Sequence, residues 1–274
     1  MSDAIGPVVV LGGGSLGSGI LAGLADAGVA GLRTTVRTTI SLARHEGTGV
    51  AATAVEADPD ANRSAVRGAA IVVSGVKPAG TEALLDEIGD ALDEGAVVVS
   101  LAVGTPLAVL EAALPAGAQV VRAMPNTPVR VRRGVTGLAR GVAVTDEGFE
   151  AVRSLFALLG EVVVVDDAGV DRISTVSGSG PAYVYLLLER FADAAAGLGF
   201  DRADAERMVA QTFAGALALL EETGASPADL RRGVTSPNGT TAAAVGVLEQ
   251  RDLAGAFEAA LAAALRRAEE LAAR

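Results

Sequence analysis

The chain has 274 residues and carries 22 Lys plus Arg against 33 Asp plus Glu, a formal charge of −11. Half the residues are hydrophobic and a fifth are charged, which is enough apolar surface for a sizeable core and argues against disorder. There is no Cys, a single His (His45) and a single Lys (Lys77). Disulfides, thiolate metal sites and cysteine nucleophiles are therefore excluded, and no multi-histidine metal site can be built within one chain, so no metal is expected. Acid–base chemistry falls to carboxylates, hydroxyls, bound water or Lys77. The acidic balance argues against a nucleic-acid or anionic-membrane partner, but leaves room for a local basic site that takes a small phosphate. The N-terminus lacks a basic stretch followed by a long apolar one, and the longest uncharged runs, Gly95–Leu110 and Ile173–Leu188, are short for a spanning helix and contain Gly, Ser, Thr or Pro. A soluble cytoplasmic protein is expected.

The first half alternates apolar β-type runs with Ala-rich helical patterns. Strands are predicted at Pro7–Leu11, Thr34–Arg37, Ile71–Ser74, Val97–Leu101, Gln119–Arg122, Val135–Leu138 and Val162–Val165. Several are continuous Val/Ile runs, which suit a sheet covered on both faces. Helical patterns lie between them at about 15–28, 39–45, 60–68, 80–93, 105–113 and 146–159. This alternation predicts right-handed βαβ units and a mostly parallel sheet, an α/β fold. After Asp166 and Asp167 no strand is predicted. Helices are expected at about 181–198, 202–222, 239–250 and 252–272, with a short piece at 227–232 that Ser226 caps and Pro227 opens. The boundary is expected near 167, which gives domains 1–167 and 168–274. The helical half carries Ala and Leu on more than one face, and the pattern suits both burial against a partner subunit and bundling within the chain.

The first strand runs into Gly12-Gly13-Gly14-Ser15-Leu16-Gly17, a G-x-G-x-x-G motif that opens a helix. Gly12 permits the tight turn, Gly14 lets the backbone approach a pyrophosphate, and Gly17 lets helix and strand pack closely. Free N–H groups and a positive dipole end then face the anion. The second strand ends in Val36-Arg37-Thr38-Thr39, without the acid that bonds the ribose hydroxyls in an NAD site. A guanidinium there suits the 2′-phosphate of NADP; Arg33 and Arg44 are competitors for that role. Lys77-Pro78 follows a third strand, at an edge where ligands lie in such sheets, and Asn126, within Met124-Pro125-Asn126-Thr127-Pro128, could orient the nicotinamide amide or a water.

The helical half holds two further segments. Ser177-Gly178-Ser179-Gly180-Pro181-Ala182-Tyr183 fits a helix start or a close-packed functional loop. Val234-Thr235-Ser236-Pro237-Asn238-Gly239-Thr240-Thr241 gathers hydroxyls and free N–H groups at another helix start. That arrangement suits a carboxylate receptor without a cation, as well as a simple capped helix.

With these segments the chain resembles the pyrroline-5-carboxylate reductases over nearly its whole length; Val76-Lys77-Pro78, Ser100-Leu101-Ala102-Val103-Gly104, the segment from Arg122 to Pro128 and Leu248-Glu249 add to the match. The resemblance implies an N-terminal Rossmann-type dinucleotide-binding domain and a C-terminal all-helical dimerisation domain, assembled as a homodimer or a larger set of dimers. It implies hydride transfer from NADPH, with NADH as the alternative, to C5 of a cyclic imine, giving L-proline in the last step of its biosynthesis. The cofactor positions it implies are Gly12, Gly14, Ser15, Leu16, Gly17, Arg37, Thr38, Asn62, Val76, Lys77, Pro78, Ala102 and Asn126. Ser236, Gly239, Thr240 and Thr241 would hold the substrate carboxylate, with the Thr241 hydroxyl placed near the ring nitrogen as the catalytic group. The chain departs from the family pattern at Ser15-Leu16 (commonly Asn-Met), at Asn238 (commonly Gly), at Gly224 (often acidic) and at Arg190 (often small). Two other readings keep the fold: an imine reductase for another cyclic imino acid, and a non-catalytic NADP-binding sensor.

Overall fold

The computed structural model describes residues 5–272, which divide into two compact units, 5–181 with 264–272, and Ala182–Ala263. In the first unit an eight-stranded sheet is built from β1 (Val8–Leu11), β2 (Arg33–Val36), β3 (Ala51–Ala54), β4 (Ile71–Ser74), β5 (Val97–Ser100), β6 (Gln119–Pro125), β7 (Gly134–Arg140) and β8 (Gly160–Val164). Their spatial order is β3-β2-β1-β4-β5-β6-β7-β8. The central strands β1, β4 and β5 are the Val/Ile runs, and every one of their residues is buried. Such strands need cover on both faces. One face packs Val8, Val10, Ile71 and Val97 with Ile20 and Leu24 of helix α1 (Ser15–Asp26) and Leu155 and Phe156 of α5 (Asp146–Ala157). The other packs Val9, Val72 and Val98 under α2 (Ala61–Val66), α3 (Thr81–Ile88) and α4 (Leu107–Ala112).

Six neighbouring strand pairs are parallel, and β6–β7 alone is antiparallel. The link from β6 to β7 is a single 3₁₀ turn, Thr127–Val131, too short for the crossover a parallel pair requires. The sequence reading omits β3. Its Ala-Ala-Thr-Ala has little strand propensity, and it forms through backbone pairing with β2 at the sheet edge. The stretch predicted as a helix at 39–45 is a 3₁₀ turn, Thr39–Arg44.

Past β8 the first unit continues through α6 (Asp167–Ile173) and a wide π-type turn, Ser174–Gly178. The helices α7 (Gly180–Gly197), α8 (Arg202–Thr223), α9 (Pro227–Gly233), α10 (Thr240–Glu249) and α11 (Leu253–Ala272) follow. The second unit has a small core of Ala192, Ala195, Ala205 and Val209 where α7 meets α8. Phe191 and Phe213 meet edge to face beside it. No helix among the described residues is long and apolar enough to cross a membrane.

Candidate active site

The strand order reverses between β1 and β4, because the chain runs outward from β1 through β2 to β3 and then returns to the other side of β1. The carboxyl ends of β1 and β4 flank that switch, where open α/β sheets hold their ligands. A cleft of ≈ 360 Å³ lies there, bordered by Gly12, Gly14, Arg37, Asn62, Val76 and Lys77, six of the thirteen cofactor positions expected from the sequence. Arg44 and Ser41 also border it, and no carboxylate side chain does. The cleft thus gathers three cations in a chain of net charge −11.

The glycine loop has the geometry its motif requires. Gly12 has φ +90°, and its N–H and that of Gly13 both donate to the Thr35 carbonyl of β2. A Cβ on Gly17 would lie 2.6 Å from the Gly12 carbonyl oxygen, so α1 can sit this close to the turn only with glycine there. A Cβ on Gly14 would meet no atom within 4 Å, and that open space lies on the cleft. The residues present therefore fit a dinucleotide: a glycine loop at a helix N-terminus, open space above it and cations beside it.

Arg37 is exposed, and its guanidinium has no hydrogen bond or ion pair among the described residues. Thr38 bonds side chain to side chain with Ser41 at 3.0 Å. Arg33 is set apart from Arg37, at the opposite end of β2, where it donates to the Arg67 carbonyl at 2.9 Å. The turn that presents Arg37 is tied by a residue the sequence reading did not single out. Glu56, just after β3, accepts from the Thr39 N–H at 2.5 Å and from its hydroxyl at 2.7 Å. These two bonds, the backbone one foremost, hold the Glu56 carboxyl below its usual range. Only the pairing of β3 with β2 brings residues 39 and 56 together, which is why no local signal revealed Glu56.

Of the other expected positions, Ser15, Leu16, Ala102 and Asn126 lie off the cleft lining. Leu16 packs against the core beneath the sheet face. Ser15 borders a separate cleft. Lys77 holds the position before the 3₁₀ turn Pro78–Gly80, and its carbonyl accepts from the Gly80 N–H and the Thr81 hydroxyl. Ala102 is buried just past β5. Asn126 bonds at both ends of its amide within the fold. Its Nδ2 donates to the Ser177 carbonyl at 3.0 Å and its Oδ1 accepts from the Val135 N–H at 2.8 Å. The side chain is buried and clasps the π-type turn to β7, a positioning role in this structure.

In the second unit, Ser236, Gly239, Thr240 and Thr241 form the turn into α10. The Gly239 N–H donates to the Ser236 carbonyl at 3.0 Å, and Gly239 stands at the helix cap without a side-chain cap. The first N–H groups of a helix have no partner within it. The hydroxyls of Ser236, Thr240 and Thr241 likewise make no hydrogen bond among the described residues. The turn therefore presents donors that are not consumed by the fold. Asn238 has φ +57°, a left-handed conformation that Asn adopts more readily than other non-glycine residues, so this departure preserves the turn.

Residues 167–271 match the family model described as pyrroline-5-carboxylate reductase dimerisation, and residues 7–104 match the model described as NADP oxidoreductase, coenzyme F420-dependent. The pyrroline-5-carboxylate reductase of Mycobacterium tuberculosis is 37% identical across 96% of both chains. The chain belongs to the pyrroline-5-carboxylate reductase family. The family's enzyme from Pseudomonas aeruginosa is 41% identical over 78% of each chain. The solved structure of the Coxiella burnetii enzyme superimposes with a TM-score of 0.89 at 36% identity, covering 97% of this chain and 98% of that one. The chain is thus an oxidoreductase with the family's α/β domain and its helical dimerisation region. At another departure from the family pattern, Gly224 ends α8 in the left-handed conformation, φ +60°, which glycine adopts without steric cost. Arg190 pairs with Asp193 one turn along α7 at 3.2 Å.

Proposed function

We propose that this chain reduces 1-pyrroline-5-carboxylate to L-proline, as a cytoplasmic homodimer or an assembly of such dimers, with the domains meeting near residue 167. NADPH supplies the hydride that C5 of the cyclic imine receives. Gly12, Gly14 and the N–H groups opening α1 cradle the pyrophosphate. Arg37, with Thr38, takes the 2′-phosphate, and Asn62 bounds the adenosine end. Val76, Lys77, Pro78 and Ala102 border the nicotinamide side, where Asn126 holds the neighbouring turn. Ser236, Gly239, Thr240 and Thr241 bind the substrate carboxylate through hydroxyls and helix N–H groups, and the Thr241 hydroxyl supports the ring nitrogen as it becomes an amine. A protonated imine is already electrophilic, so the residues' main task is to hold the reacting carbons at near-attack distance. That suits a chain with no Cys and one buried His.

The observation that carries the cofactor choice is the carboxylate-free cleft with an unpaired Arg37 at the end of β2. The test is NADPH oxidation with pyrroline-5-carboxylate, with NADH and a six-membered cyclic imino acid run in parallel. Faster turnover with NADH would remove the role assigned to Arg37. Preference for the six-membered ring would change the substrate, and nucleotide binding without turnover on any imine would leave a sensor.

A further inference from the structure

A second cleft, ≈ 480 Å³, lies on the flank of α1, bordered by Ser15, Ser18, Arg44, His45, Thr48 and Arg130 among others. Its two cations come from separate elements, Arg44 from the 3₁₀ turn after β2 and Arg130 from the 3₁₀ turn between β6 and β7. Neither guanidinium has a hydrogen bond or ion pair among the described residues, although many other arginines of this acidic chain are paired with carboxylates. No carboxylate borders the cleft. Ser18 already donates its proton to the Gly13 carbonyl at 2.9 Å, and Thr48 donates to the His45 carbonyl at 2.7 Å. The rim is thus braced, and the guanidiniums and the Ser15 hydroxyl remain as free donors. Two unpaired guanidiniums with a hydroxyl select an oxyanion of high charge, which they can grip bidentately. The volume exceeds what a lone phosphate fills and suits a small molecule with more than one phosphoryl or acidic group.

We propose that this cleft is a second anion site, separate from the cofactor cleft, that takes a small phosphorylated molecule and is coupled to cofactor binding through Arg44. Arg44 borders both clefts, whereas Arg130, Ser18 and Thr48 border only the second. One guanidinium cannot serve two anions fully, so occupancy of either site weakens the other, and by the same factor in both directions. The proposal rests on the reading of the first cleft as the NADPH site only for that coupling.

The experiment is calorimetric titration of inorganic pyrophosphate into the full chain saturated with NADPH, which occupies the glycine loop, against KCl at matched ionic strength. Saturable binding of one pyrophosphate per chain is expected. Arg130→Glu should weaken it at least about tenfold, which is ~1.4 kcal/mol, with NADPH affinity retained. Arg130→Gln, a milder change at this exposed position, should weaken it less. Arg44→Ala should weaken both ligands and abolish their coupling. No saturable pyrophosphate binding, or binding that Arg130→Glu and Arg130→Gln leave unchanged, would overturn the site. Loss of NADPH binding in both Arg130 variants would overturn its separation from the cofactor cleft. If the unsubstituted chain fails to bind NADPH, the cofactor reading falls. Pyrophosphate binding to the chain alone, sensitive to Arg130→Glu, would still establish the second cleft.

Discussion

Arg37 stands exposed at the rim of the glycine-loop cleft with its guanidinium unpaired. Charge-assisted bonds to a phosphate are worth about 1.5–3 kcal/mol, so Arg37→Ala should raise the KM for NADPH by about 10–100-fold and leave that for NADH little changed. Steady-state kinetics with both nucleotides measures the split. Thr241→Ala should lower kcat by about 10²-fold, the scale of one positioned proton donor, with NADPH affinity intact; fluorescence titration alongside turnover separates the two. His45 is buried against the glycine loop: a Cβ on Gly13 would lie 2.9 Å from its Nε2, and that nitrogen lacks a hydrogen bond of full geometry. Burial, then the adjacent Arg44 charge, holds its pKa below the ordinary 6.5, against a smaller opposite pull from the Gly13 backbone. The unfolded chain therefore binds this proton more readily than the folded one. His45's contribution to stability is complete above about pH 6.5 and declines as pH falls through the window below it. Melting temperatures from pH 8 to pH 5 should show a loss on acidification that is shallower in His45→Gln.

At the level of elements, Arg122 joins β6 to α6. Its buried guanidinium pairs with Asp167 at 2.8 Å and with Asp171 at 2.5 Å, and also donates to the Asp167 carbonyl. The same aspartate accepts from the Leu107 N–H that opens α4. Asn126, just past the end of β6, then fastens the turn that leads into α7. These contacts fix the chain's exit from the sheet. Removing one partner of a buried pair strands the other, so Arg122→Ala should cost about 3 kcal/mol in a denaturant melt. Asn126→Ala should cost about 1–3 kcal/mol, because it leaves a buried N–H and a carbonyl unanswered.

For the whole molecule, the decisive feature is apolar surface that one chain does not cover. On α7, Tyr185, Leu186, Leu187 and Phe191 are all more than two-fifths exposed, as is Phe257 on α11. Tyr183, Leu186, Leu187, Leu253, Ala256 and Phe257 border a small apolar cleft in the second unit. Burying each large side chain is worth about 1.5–3 kcal/mol, which is ample reason for these helices to associate with another copy. Leu186→Glu should shift the assembly toward monomers in sedimentation-velocity runs while the sheet unit keeps its NADPH affinity.

The sequence by itself determined the α/β alternation, the Val/Ile strands of the sheet centre, the glycine loop and the turn before α10. Each is a local pattern whose physical meaning lies within a few residues: a buried strand, a positive φ at Gly12, free donors at a helix start. Tertiary structure decided what depends on distant partners. The β3 edge strand exists because β2 offers a ladder to Ala-Ala-Thr-Ala, and β7 reverses because its link to β6 is short. Glu56 reaches Thr39 only through that added strand, and Asn126 becomes a clasp because folding brings Ser177 and Val135 to its two ends. Arg33 and Arg44 look alike as rivals of Arg37 in sequence. The direction of β2 sends Arg33 to the far end of the sheet and leaves Arg44 between two clefts, because a strand separates its ends by its full length.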